Sequence, residues 1–150
     1  MGLRGYLEEK PVRCAIVGAV HGVAFSCVPF GLELTILLAA VMPGVYWGFS
    51  FCHDGQLEIL EETTTVIGLM LFNLHCLYNV LFHGLEYYAP LSVLVHGGID
   101  VMHHLHMYPS EKHVYASCPK YPMMCFAFDF GLGTAQIATL WLSSAFTTTT

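Results

Sequence analysis

Apolar residues run through this chain in five long stretches separated by short polar breaks, and the breaks predict where helices begin and end. Pro11 suits a first helical turn, where its missing N–H would have no partner anyway. From Val12 to Val28 only His21 and Ser26 interrupt the apolar run, and Pro29-Phe30-Gly31 then marks a tight turn. A second stretch, Leu34 to Phe51, should bend at Pro43-Gly44, because a proline inside a helix removes a backbone hydrogen bond. His53-Asp54-Gly55-Gln56 breaks the pattern again. Glu58, Glu61 and Glu62 follow and lead into a third stretch over 63–83. Gly84 and Pro90 bracket a turn before a fourth stretch over 90–106. The polar segment from Met107 to Lys120 separates this from the last stretch, 122–145.

Stretches of this length suit a bilayer whose hydrocarbon is crossed by about 20 apolar residues. The predicted fold is therefore an all-α, polytopic transmembrane helical bundle in a single domain over 1–150, with spans near 12–28, 34–51, 63–83, 90–106 and 122–145. Four spans is the alternative count. Gly18 and Gly22, one turn apart, predict a place where another helix approaches closely, and His21 between them reads as structural.

Composition supports the membrane class. Of 150 residues, 55% are hydrophobic and 11% charged, whereas about a quarter of a soluble domain is charged. Mean hydropathy is positive. The spans leave no room for a separate soluble catalytic domain. The net charge of −6 and five scattered Lys and Arg residues provide no basic patch, which excludes nucleic acid as a partner. Six cysteines without a CxxC read as small packing residues rather than a disulfide framework, with Cys118 to Cys125 the one pairing left open. The charged first ten residues do not form a secretory signal, so the N-terminus is expected to be retained. With five spans, Arg4, Lys10, Arg13, Lys112 and Lys120 share one side of the membrane. Positive charge favours the inside, which predicts an integral membrane protein with its N-terminus inside and its C-terminus outside, embedded among lipids.

Polar residues inside the apolar stretches carry the candidate chemistry. At about 100° per residue, His96, Asp100 and His103 fall within roughly 60° of one another, with His104 at the edge of the sector. In hydrocarbon each must be paired, hydrated or functional. His75, Asn79, His83 and Glu86 make a second seam on the third stretch. Asp129 lies inside the last stretch, with Gln136 on a similar face. Span order brings Glu58, Glu61 and Glu62, then His103 and His104, then Cys125 and Asp129, to the same side of the membrane. An inside-facing pocket is predicted there.

Asp100, His103, His104, Asp129 and Glu58 are the candidate catalytic residues, and His96, Asp100, His103 and His104 the candidate metal ligands. Imidazole and carboxylate suit zinc or iron, whose open coordination position would activate water or oxygen. Without metal, a carboxylate beside a histidine would move protons on a lipophilic small-molecule substrate. Two other readings use the same residues: a noncatalytic accessory or scaffold subunit with membrane-protein partners, and a proton or metal carrier that uses both seams as one path. Asp100-x-x-His103-His104 looks like a histidine box of membrane desaturases with its first histidine replaced. The chain contains no HxxxH and lacks the other boxes.

The run His96, three residues, Asp100, two residues, His103-His104-Leu105, followed by Cys125, three residues and Asp129, resembles a small family of multi-spanning membrane proteins. That family is the domain of unknown function numbered six-thousand-ten. The resemblance covers about the last two-thirds of the chain, and Glu58 after the Gly55 turn matches a glutamate of its pattern. Ile99, Met107-Tyr108-Pro109 and Phe128 depart from it. The resemblance implies a multi-spanning architecture and this choice of residues, and it names no reaction.

Overall fold

The structure, a computed structural model, describes residues 11–27, 32–42, 44, 56–104 and 121–147. These residues form five helices and, among the described residues, no strand: α1 (Pro11–Ser26), α2 (Leu32–Val41), α3 (Gln56–His83), α4 (Tyr88–His104) and α5 (Tyr121–Thr147). Pro11, Pro90 and Pro122 all fall in first turns, where a missing N–H costs nothing. α2 stops at Val41, two residues before Pro43, whose ring pushes the residue ahead of it out of helical geometry. The remainder of the predicted second span, 45–51, lies outside the described residues. Glu58, Glu61 and Glu62 are already inside α3, which starts at Gln56.

Between α3 and α4 the chain reverses at Gly84, whose φ of 63° is left-handed and open to glycine without strain. The Leu85 N–H donates back to the Asn79 carbonyl at 3.2 Å, and the Tyr88 N–H to the Leu85 carbonyl at 3.1 Å, so the turn satisfies helix-end groups.

Backbone meets backbone where α1 packs on α5. A Cβ at Gly18 would strike the Met124 carbonyl oxygen, one at Gly22 the Phe128 carbonyl oxygen, and one at Gly131 would come 2.6 Å from the Ala19 carbonyl oxygen. The predicted close approach at Gly18 and Gly22 is thus made, and α5 is the helix that makes it. Register climbs together on both helices, Gly18 against Met124 and Gly22 against Phe128, so α1 and α5 run parallel. α4 runs the other way: Gly97 lies against Phe126 and Asp129, Gly133 against Leu94 and Val93. Two apolar clusters complete the packing. Ile36, Cys76, Val80 and Ala89 join α2, α3 and α4, while Ala39, Val93 and Leu132 join α2, α4 and α5.

The outer surface is apolar as well. Leu71, Leu74 and Phe82 of α3, Ile16 and Val20 of α1, and Trp141 of α5 are all more than half exposed. The segments Thr63–His83 and Met123–Ala145 are long and apolar enough to cross a membrane, and α1 and α2 contribute shorter apolar helices. Twenty-one helical residues rise about 32 Å, close to the thickness of bilayer hydrocarbon.

Candidate metal centre

The chemistry-bearing residues come from two helices that carry them at the same spacing. His96 and Asp100 lie one turn apart on α4, and Cys125 and Asp129 one turn apart on α5. Because side chains four residues apart share a helix face, each pair projects from one side of its helix. The antiparallel packing of α4 on α5 then sets the pairs against each other in reverse order. A glycine permits the approach: a Cβ at Gly97 would stand 3.1 Å from the Asp129 Cβ and 3.6 Å from a Phe126 ring carbon.

His96 Nδ1 lies 2.5 Å from Asp129 Oδ2, thirty-three residues away in sequence, and 3.6 Å from Asp100 Oδ2. One potential ligand atom from each of His96, Asp100, Cys125 and Asp129 falls within 4.8 Å of all the others. All four residues are buried, and His96, Asp100 and Asp129 expose 0% of their surface. Among the described residues, His96 Nε2 and Asp129 Oδ1 have no hydrogen-bond partner. Two carboxyl groups around one imidazole, away from water, require compensation by protons or by a cation. Imidazole nitrogen, carboxylate oxygen and thiolate sulfur together form a donor set that zinc accepts and iron tolerates. The group can therefore hold a metal ion.

The structure brings together three of the residues singled out from sequence, His96, Asp100 and Asp129. It adds Cys125, which sequence reasoning treated chiefly as a packing residue although its spacing from Asp129 repeats that of His96 from Asp100. His103 and His104 close α4 and Glu58 lies in the first turn of α3, but their side chains are outside the described residues.

The second seam stays apart from this group, near the turn between α3 and α4. Asn79 donates to the His75 carbonyl at 2.8 Å and lies 3.2 Å from His75 Nε2, and the His75 ring meets Tyr88 edge-on. His83 packs against Tyr78, and Glu86 is exposed. His21, read as structural, places Nδ1 2.7 Å from the Val17 carbonyl.

Gln136 donates to the Thr35 hydroxyl at 2.9 Å, a buried link between α5 and α2 that sequence reasoning missed. Buried Asn73 was missed too, although a lone amide inside an apolar stretch was the available signal.

Comparison with known proteins yields no match among protein-family models, curated proteins or solved structures. What the group does is therefore read from its own chemistry.

Proposed function

We propose that the protein is an integral membrane enzyme whose buried centre of His96, Asp100, Cys125 and Asp129 holds a divalent metal ion, zinc or iron, and acts on a lipophilic substrate. One observation carries this reading: four ligand-capable atoms, all from buried residues, lie within 4.8 Å of one another. A carboxyl pair in such a place is costly unless a cation or proton balances it. A metal ion answers that demand with the donors present, and the lone pairs of His96 Nε2 and Asp129 Oδ1 are available to it. When bound, the ion would act as a Lewis acid toward water or a substrate oxygen. In its absence the His96 and Asp129 pair is placed to pass a proton between imidazole and carboxylate.

The bilayer setting rests on the exposed apolar surface and on helix direction. Five successive crossings require the first and last helices to run parallel and the fourth and fifth antiparallel, as α1, α4 and α5 do. Positive charge then puts the N-terminus inside and the C-terminus outside. A cysteine introduced at Ser110 should be labelled by an impermeant reagent from the inside alone; labelling from the outside refutes this orientation. The likeness of the histidine and aspartate run to the family of multi-spanning proteins is part of the same proposal.

The test is elemental analysis of protein purified without chelators and supplied with zinc or ferrous ion. Near-stoichiometric metal in the wild type, lost from a His96→Ala/Asp129→Ala variant that stays monodisperse, is the expected result. A His103→Ala/His104→Ala variant tests whether those histidines join the ligand set. A folded wild type that takes up neither metal refutes the metal centre. It would favour a second reading, a noncatalytic scaffold, which the direct contact between His96 and Asp129 supports: polar groups that bond one another across helices act as interhelical glue.

A further inference from the structure

Cys125 belongs to two places at once. It is one of the four residues of the buried polar group, and it also lines a cavity of about 430 Å³ between α1 and α5. That volume is within the range of small-molecule sites. The rest of the wall is chiefly apolar, formed by Val17, Met124 and Phe128 with Met42 just beyond α2. Methionine side chains are unbranched and adapt to irregular apolar shapes. Val17, His21 and Met124 are exposed, so the cavity opens on the outer face of the α1 and α5 pair. In the proposed membrane that face meets acyl chains, and a ligand would enter sideways from the bilayer.

His21 sets the polarity of this cavity. Its Nδ1 lies 2.7 Å from the Val17 carbonyl oxygen, which can only accept, so Nδ1 carries the proton of that bond. In the neutral ring Nε2 is then an acceptor. A ligand able to donate a hydrogen bond complements it. An anionic head group does not, since it would set acceptor against acceptor at His21.

We infer that the cavity binds a lipophilic alcohol or phenol, its apolar body against Val17, Met124 and Phe128 and its hydroxyl toward the His21 imidazole. The inference rests on the proposed membrane enzyme and names the substrate class of that same centre. Cys125 is the place where the ligand meets the metal site.

The experiment uses the full chain in lipid nanodiscs and a sixteen-carbon alcohol with a photoactivatable diazirine on its chain. The matching methyl ether, which cannot donate, is the control. Crosslinks should map to α1 and α5, and unlabelled hexadecanol should compete about fivefold better than its methyl ether, the usual net worth of one hydrogen bond. Val17→Trp, which fills the mouth of the cavity, should abolish these crosslinks. His21→Leu should erase the preference for alcohol over ether, and it decides the question by itself if Val17→Trp fails to fold.

Crosslinks elsewhere, or equal competition by alcohol and ether in the wild type, overturn the inference. Metal analysis of the same samples separates the two readings. Cavity labelling in a protein without metal keeps the ligand site and removes the metal centre; bound metal without cavity labelling does the reverse.

Discussion

The His96 imidazole and the Asp129 carboxylate meet at 2.5 Å across two antiparallel helices, and neither residue exposes any surface. Such a pair couples the helices energetically as well as chemically. Removing one partner leaves the other buried and uncompensated, so most of the cost should appear with the first substitution. In chelator-treated protein, a cycle of His96→Ala, Asp129→Ala and the double variant should give a coupling of about 0.5–3 kcal/mol. The readout is unfolding in detergent followed by circular dichroism. Strict additivity would mean that the two groups do not act together.

Glycine contacts decide how α1 sits on α5. A side chain at Gly22 must displace the Phe128 carbonyl, which belongs to helical backbone and cannot yield without shifting the helix. Gly22→Ala should therefore destabilise by about 1–3 kcal/mol, in the range of overpacked cores. Gly68 on α3 is the matched control, since nothing lies within 4 Å of a Cβ built there. Gly68→Ala should be neutral or raise Tm slightly, because alanine favours a helix over glycine by about 0.5–1 kcal/mol. Equal losses at the two sites would refute the packing account.

These contrasts show what the linear pattern could and could not convey. Apolar runs located the helices because a helix needs continuous apolar length wherever it meets lipid or core. The turn at Gly84 was visible for the same reason that only glycine takes its backbone angle freely. His96 and Asp100 stood out because four residues make one helical turn, a local relation. Which residue faces His96 is not local. Asp129 lies thirty-three positions away, and its approach depends on Gly97 clearing the space between α4 and α5. Cys125 was placed with Asp129 on the pocket side but not counted as a ligand, since a thiol passes for a small apolar side chain until a carboxylate and an imidazole are set beside it. Gln136 finding Thr35 likewise depends on how α2 crosses the bundle.

Asn73 offers a test of buried polarity away from the metal-capable group. It is 1% exposed, and neither its amide nitrogen nor its oxygen has a partner among the described residues. An amide left unsatisfied in a dry interior costs about 1–3 kcal/mol. Asn73→Leu keeps the same branched side-chain skeleton and removes both polar atoms, so it should raise Tm in detergent. Asn73→Asp should lower it by adding a charge to the same place. A loss of stability with both leucine and the smaller alanine would show that the amide is satisfied, for example by an ordered water.

Cys125 distinguishes a metal centre from a polar network most directly, because sulfur leaves a spectroscopic mark. Cobalt(II) accepts the same donors as zinc, and a thiolate bound to it gives an intense near-ultraviolet charge-transfer band that oxygen and nitrogen ligands do not. Cobalt added to metal-free protein should produce that band together with the visible bands of a low-coordinate ion. Cys125→Ser should remove the ultraviolet band while leaving bound cobalt detectable, since His96, Asp100 and Asp129 remain. Gly97→Ala acts through position instead. Its new methyl would stand 3.1 Å from the Asp129 Cβ, which must shift by a few tenths of an ångström. Affinity should then fall about 10–100-fold, as it does when groups supporting a metal ligand are disturbed, with the sulfur band retained at saturation. An unchanged ultraviolet band in Cys125→Ser would remove the thiol from the ligand set, and the lining of the cavity would then be its sole role.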